Sequence, residues 1–230
     1  MIIYGRNAVH EALRGSRTVS HIWATKGAAS EPWIDHRRVD LQVSSGDEIT
    51  RISGSDGHQG ICAEVSPFHY SSAELLLAEP DGLIVALDQV QDPQNLGSIC
   101  RSAECAGAAG VVLPERRAVE VTPAVCKASA GAVEHLKVAS VRNLADFLRD
   151  AKQHGFWCYG ADGGGSTDYR EVDWTGPVVL VMGSEGRGLR PRVAAACDAL
   201  IALPLKGKIE SLSVGAAAAV LLYAAASGRS

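Results

Sequence analysis

The sequence has few aromatics, no net positive charge, no paired cysteine motif and no apolar run long enough to cross a bilayer. Each shortage narrows the field. Aromatic residues make up 5% of the 230 residues, too few for an RNA binder built on exposed stacking platforms. The formal net charge is −4, so any polynucleotide-binding surface has to be local, because phosphate neutralisation needs a basic face. Candidates are Arg6, Arg14 and Arg17, Arg37 and Arg38, and Arg116 and Arg117. Taken singly, each is equally well read as a solvated surface arginine. The cysteines, Cys62, Cys100, Cys105, Cys126, Cys158 and Cys197, form no C-x-x-C pair and have no histidine cluster beside them. That argues against a zinc site and for no bound metal. Several fall inside apolar helical patterns, where a free thiol behaves as a small hydrophobe, and free thiols suit a reducing cytoplasm. The opening MIIYGRNAVHEAL lacks a signal-peptide layout. The run Val214 to Ala226 is Ala-rich and too short for a membrane span, so no membrane partner is expected.

What remains is an ordinary globular composition, 47% apolar and 21% charged, sufficient for one large or two smaller domains. Residues 1–66 read as a small α/β unit. It has a helix over Arg6 to Arg14, strands at Val19 to Ala24, Arg38 to Val43 and Gly60 to Val65, and a helix over Asp47 to Ile52. A loop rich in Gly and Ser carries His58. Residues 67–81, with Pro67 and Pro80 around a short Leu-rich helix, read as a linker. From Gly82 to the end, strands alternate with helices, which predicts a parallel sheet covered on both faces. The run Leu83 to Val90 is expected as a strand, and its apolar stretch from Leu83 suits one buried on both faces. Strands are also expected at Gly110 to Leu113, Val138 to Ser140, Phe156 to Ala161, Pro177 to Met182 and Ala199 to Leu203. Helices are expected at Gln94 to Ala106, Thr122 to Ala130, Asn143 to His154, Arg190 to Ala196 and Leu212 to Ala226.

Three segments that follow strands of this second unit carry chemistry, and ligands of open α/β sheets bind at the carboxyl ends of strands. The first, Asp88 to Gly107, enters a helix with Asn95 near its start, Arg101 about two turns in and Glu104 beyond. Asn95 can cap the helix or touch a ligand. Arg101 and Glu104 can equally form an exposed surface pair. The second, VMGSEGRGL, has Gly183, Gly186 and Gly188 in the order G-x-x-G-x-G. This is neither a phosphate-binding loop with Lys-Ser/Thr nor the dinucleotide fingerprint, which counts against a nucleotide-dependent oxidoreductase. Glu185 inside it can hold a hydroxyl-bearing or cationic ligand, or simply favour a helix N-terminus. The third, Ala202 to Tyr223, ends a strand at Pro204, passes through a basic loop from Lys206 to Glu210, and is expected to cap its helix with Ser211.

Together the three segments resemble the motifs of the SpoU/TrmH family, RNA ribose 2′-O-methyltransferases of the SPOUT superfamily. N-x-G-x-x-x-R matches Asn95, Gly97 and Arg101. M-G-[SA]-E-x-x-G matches Met182 to Gly188. P-x-x-G-x-x-x-S-L matches Pro204 to Leu212. GRNAVHEAL at Gly5 to Leu13 and HQG at His58 to Gly60 extend the likeness to a bacterial subgroup with a ribosomal-protein-like substrate-binding domain, whose members modify a guanosine of 23S rRNA. The resemblance implies an α/β fold: a knotted parallel-sheet SPOUT catalytic domain with a C-terminal trefoil knot, preceded by that small α/β domain. It implies a homodimer with its site at the interface and S-adenosylmethionine as cofactor. It places the catalytic work on Arg101, Asn95, Glu185 and Ser211, and cofactor binding on Gly183, Leu203, Leu212, Met182 and Gly188. RNA contacts fall to Arg6, Asn7, His58 and Gln59, with rRNA as the expected partner. A tRNA ribose methyltransferase and a non-catalytic RNA-binding relative are the competing readings. The family reads S-L-N-V-S in motif three, and here Ser213 stands for the Asn and Gly215 for the second Ser. Ser213 keeps a hydroxyl and loses the amide's second hydrogen-bonding group.

Overall fold

The computed structural model describes residues 1–35, 37–209 and 211–229; Glu210, the end of the expected basic loop, lies outside them. The first unit comprises β1 (Ile2–Tyr4), α1 (Arg6–Arg14), β2 (Val19–Ala24), β3 (Asp40–Val43), α2 (Gly46–Ser53) and β4 (Ile61–Val65). Its sheet runs β1-β4-β2-β3, with β4 antiparallel to both neighbours and β3 parallel to β2. Helix α1 buries Ala8, Val9 and Ala12 along one stripe, the spacing of an amphipathic helix on a sheet. Helix α2 starts where Ser45 accepts from the Glu48 N–H at 3.2 Å.

The second unit is built from α3 (Ala73–Leu77), β5 (Leu83–Leu87), α4 (Pro93–Cys105), β6 (Gly110–Pro114), α5 (Pro123–Ala128), β7 (Lys137–Val141), α6 (Leu144–Gln153), β8 (Trp157–Ala161), β9 (Thr167–Asp168), β10 (Val178–Met182), α7 (Pro191–Ala194), β11 (Ala199–Ala202) and α8 (Val214–Ser227). Its seven strands are all parallel in the order β7-β6-β5-β10-β8-β11-β9. The central strands β5 and β10 are buried at every residue. Their alternation sorts the core. Leu83, Val85, Leu87, Leu180 and Met182 face the side covered by α4, α5 and α8, while Ile84, Ala86, Val179 and Val181 face α6 and α7. This two-sided burial is what a parallel sheet requires.

The segment read as a linker is packed against the sheet. Ser71 donates its N–H to Val138 O at 2.8 Å, Leu76 is fully buried, and Tyr70 Oη accepts from the Val121 N–H at 2.8 Å. The first core also runs without a break from Ile3, Ile22 and Ile61 of the small sheet into the large one. The two units are pinned by a buried ion pair, Arg17 with Glu134, whose Nε–Oε2 distance is 2.9 Å. His135 with Glu11 at 2.7 Å adds a second tie.

Most element boundaries differ from expectation by one or two residues. Strand β5 stops at Leu87 rather than Val90, because Gln89 takes a left-handed φ of 63° and Asp88 turns its side chain to another loop. Helix α8 starts at Val214, and its cap is Ser213, which accepts from the Ala216 N–H at 3.3 Å. Ser211 is therefore not the cap. Likewise α4 is capped by Asp92, which accepts from the Gln94 N–H at 3.0 Å, and not by Asn95. The two-residue strand β9 carries too short a pattern to be read from periodicity. Cys62, Cys100, Cys126 and Cys158 are buried and Cys105 is exposed. Burial pushes the Cys100 and Cys158 thiols up to about 12, so they behave as apolar filling.

Candidate active site

The loops that leave β8, β10 and β11 at their carboxyl ends enclose a cavity of about 210 Å³. Met182, Gly183, Glu185 and Gly188 line one side of it. Leu203, Ser211 and Leu212 line the other, with Val214 and Leu221 of α8 behind. Seven residues singled out from two separate motifs therefore share one cleft.

The loop after β10 is closed on itself. Ser184 and Gly188 exchange backbone hydrogen bonds of 3.2 and 3.0 Å. A Cβ on Gly183 would stand 2.3 Å from the Gly188 carbonyl carbon, so no side chain fits there. The result is a wall of bare backbone, which a flat ligand can approach closely. Glu185 links this loop to the next motif: its Oε1 accepts from the Val214 N–H at 3.2 Å, at the first residue of α8. A carboxylate there also complements the positive end of the helix.

Two residues that hold this arrangement escaped the sequence reading. Asp88, at the end of β5, is fully buried. It accepts from the Arg190 N–H at 2.8 Å and from Arg190 Nε at 2.7 Å. Arg190 directly follows the Gly-rich loop, so the pair fastens that loop to the neighbouring strand. Their separation of 102 residues explains why no local spacing reveals them. Asp162, after β8, also lines the cleft beside Gly188. Its Oδ1 accepts from the Gly164 N–H at 2.8 Å, and a carboxylate at this place favours a cationic ligand.

Asn95 and Arg101 lie outside the cavity lining. Asn95 is beside the first turn of α8, with its Oδ1 3.9 Å from the position of a Cβ on Gly215. Arg101 is exposed on α4, and among the described residues it forms no ion pair with Glu104 or any other carboxylate. The surface-pair reading of Arg101 is therefore not what the structure shows. In the small domain Arg6 and Asn7 are exposed, and Arg6 pairs with Glu31 at 2.7 Å. His58 and Gln59 organise their own loop. His58 Nδ1 accepts from the Gly60 N–H at 2.8 Å, and the hydrogen-bond network assigns its proton to Nε2, 3.1 Å from Thr50 Oγ1. Gln59 Oε1 accepts from the Arg6 N–H at 3.1 Å, capping α1 from another element. Among the described residues no His/Cys/Asp/Glu group could hold a metal ion, and no helix is long and apolar enough to cross a membrane.

A parallel sheet with a Gly-walled cleft at its carboxyl edge, carboxylates in that cleft and a second unit docked on the sheet's flank describe a ligand-binding α/β protein. Comparison with known proteins makes this specific. Residues 82–223 match the SpoU rRNA methylase family, and residues 2–71 match the RNA 2′-O ribose methyltransferase substrate-binding domain. A Bacillus subtilis protein assigned to the TrmH family of tRNA/rRNA methyltransferases is 38% identical, covering 96% of this chain and 93% of its own length. An RNA methyltransferase structure of the TrmH family from Porphyromonas gingivalis superposes with a TM-score of 0.77 at 30% identity, over 97% of this chain and 88% of that one. A Sinorhizobium meliloti rRNA methyltransferase with bound S-adenosylmethionine gives a TM-score of 0.81 at 29% identity, over 97% and 85% of the two chains. The chain belongs to the SpoU/TrmH family of RNA methyltransferases, which take their methyl group from S-adenosylmethionine.

Proposed function

We propose that this protein methylates a ribose 2′-hydroxyl of RNA, and that its target is a guanosine of 23S rRNA in the cytoplasm. The observation that carries the reading is the convergence of motifs two and three on one cleft, beside a docked domain of the substrate-binding family. The cleft suits the cofactor. Backbone at Gly183, Leu203 and Leu212 can satisfy the edge of an adenine between small residues, with Met182 and Gly188 as walls. Asp162 and Glu185 favour a positively charged donor, and Ser211 offers a hydroxyl to it. The bound sulfonium supplies an electrophilic methyl, and the nucleophilic oxygen has to be held about 3 Å away and in line, an effect worth roughly 7–11 kcal/mol when complete.

Asn95 and Arg101 act on the RNA side in this reading. A guanidinium keeps its proton in proteins and is a poor general base. Arg101 therefore clamps the phosphate next to the target ribose and orients the hydroxyl. Within one chain Arg101 stands outside the cleft. The outer face of α8 exposes Val220 at 42% and Tyr223 at 53%, beside α4, which packs on α8 through Ser98 and Gly215. A second copy covering that face makes a homodimer and completes the site across the interface. We read residues 1–66 as the substrate domain with Arg6, Asn7, His58 and Gln59 towards RNA, 67–81 as its connection and 82–230 as the catalytic domain. The segments that wall the cleft form the trefoil knot.

The test is single-turnover methylation of rRNA fragments. Arg101→Ala is expected to slow the step by about a hundredfold or more while leaving S-adenosylmethionine affinity unchanged, as loss of an interaction made with the RNA does. A near-normal rate would remove Arg101 from the mechanism. Mapping 2′-O-methyl groups in cells lacking the protein assigns the nucleotide, and a missing tRNA methyl in place of an rRNA one would overturn the substrate.

A further inference from the structure

The first turn of α1 meets the catalytic unit at Lys127 of α5. Gly5 has a φ of 95°, and a Cβ there would stand 2.5 Å from Lys127 Nζ and 2.7 Å from its Cδ. The lysine stem therefore crosses bare backbone that only glycine leaves open. The next residue, Ala128, meets α4 in the same way: a Cβ on Gly97 would be 2.4 Å from Ala128 Cβ. Lys127 thus sits on the helix that packs on both α1 and α4; Asn7 in the first turn of α1 is exposed, and so is Arg101, one turn beyond Gly97 on α4.

The charges along this seam divide into two kinds. Arg17 is paired with Glu134, His135 with Glu11 and Arg6 with Glu31. Lys127 is half-buried, yet among the described residues no carboxylate lies within ion-pair distance of it. Burial also pulls its pKa below the ordinary lysine value. A partly desolvated ammonium with no counter-ion is unfavourable, and an anionic ligand relieves that cost. Arg101, an exposed cation on the adjoining α4, also forms no ion pair among the described residues.

We propose that Lys127 is an RNA-positioning residue whose ammonium holds a backbone phosphate of the substrate strand where it passes from the first turn of α1 to Arg101. The inference rests on the RNA-methyltransferase reading and adds to it a contact outside the three motifs. An ammonium on phosphate carries no sequence information, so Lys127 sets register and affinity rather than the choice of base.

The test uses the full-length protein and the rRNA fragment that the wild type methylates. Lys127→Met and Lys127→Gln keep most of the stem over Gly5 and remove the charge. Each is expected to raise the RNA Kd and KM by about tenfold at physiological salt. Each should also lower the slope of log K against log salt by about 0.7–0.9, the signature of one lost phosphate contact. S-adenosylmethionine affinity by calorimetry, melting temperature and kcat at saturating RNA are expected to stay at wild-type values. Unchanged RNA affinity with an unchanged salt slope overturns the proposal. So does weaker binding with an unchanged slope, since that is the mark of a structural role. Absence of RNA methylation by the wild type would instead refute the functional reading on which the inference stands.

Discussion

Asp88 is the position where a single substitution should damage fold and site together. Its carboxylate is fully buried and takes both the main-chain N–H and the guanidinium of Arg190, at 2.8 and 2.7 Å. Asp88→Ala leaves the Arg190 N–H without its acceptor and the cation without its partner. Removing one member of a buried ion pair costs about 3–5 kcal/mol. The Arg190 side chain is 39% exposed and can rehydrate, which places the expected loss near the lower end, about 3 kcal/mol. For a chain of this length that is a fall in Tm of about 6–12 °C. Asp88→Asn keeps an acceptor for the Arg190 N–H and loses only the charge, so about half the effect is expected. Because Arg190 ends the Gly-rich loop, both variants should also weaken S-adenosylmethionine binding, Asp88→Ala by about tenfold, as loops that wall a cofactor lose their fixed geometry. Thermal unfolding by circular dichroism and calorimetric titration of the cofactor measure the two effects. A Tm shift under about 2 °C for Asp88→Ala would refute the energetic argument. A large Tm shift with normal cofactor affinity would show that the pair stabilises the sheet without pinning the loop.

Arg17→Met strands Glu134 in the seam between the two units and should lower stability by about 3–5 kcal/mol in urea unfolding; Arg17→Met/Glu134→Leu should recover much of it, and no recovery would count against the pairing. Burial alone would raise the Glu11 pKa, but the hydrogen bond with His135 and the charges of Arg14 and His10 outweigh it, so the carboxyl titrates below its ordinary 4.5. Such a depressed acid stabilises the folded state above pH 4.5 and loses that contribution as pH falls below it. Glu11→Gln should therefore narrow the stability difference between pH 7 and lower pH, by under about 1 kcal/mol for so exposed a pair, and an unchanged pH profile would refute the linkage. Gly215→Ser should cost about 1–3 kcal/mol by overpacking, since its Cβ would lie 2.9 Å from Ser98 Oγ and 3.2 Å from Ser98 Cβ. Adding Ser98→Ala should cancel much of that loss, and strict additivity in the double-mutant cycle would refute the contact.

The parts of this molecule that were legible in the sequence are those whose physics is local. Buried strands announced themselves as apolar runs, as in Leu83 to Leu87 and Val178 to Met182, and helices as caps followed by an amphipathic stripe, as at Thr122 and Asn143. Most of the cleft was legible through the resemblance of short motifs to those of the SpoU/TrmH family, since spacing alone left Glu185 and Ser211 open to ordinary helix-end roles. What stayed hidden depends on the folded partner. Asp88 looked like the end of a strand until Arg190 was placed beside it. The bond by which Gln59 Oε1 caps α1, 53 residues earlier, has no local signature either. Lys127 showed no signal, because the glycine that seats it is on another domain. Capping was misread where two candidates stood close together. Ser211 and Ser213 both satisfy the chemical rule, and only the position where α8 begins separates them.

That separation also shows what the structure puts in place of the family pattern in motif three. An Asn at position 213 and the Ser found there are interchangeable as N-caps, since each accepts from an N–H of the first turn. Ser213 does so at Ala216, so the start of α8 is secured without the amide. At position 215 the hydroxyl has not been replaced in place; the glycine leaves room that Ser98 fills from α4, with Asn95 beside it. The α4–α8 contact thus retains a hydroxyl, contributed by the opposite helix, at the point where motif one meets motif three. The cleft residues Glu185, Ser211 and Leu212 lie on the far side of that cap. The two substitutions therefore bear on how the start of α8 is held against α4, on either side of Val214, which lines the cleft and donates to Glu185.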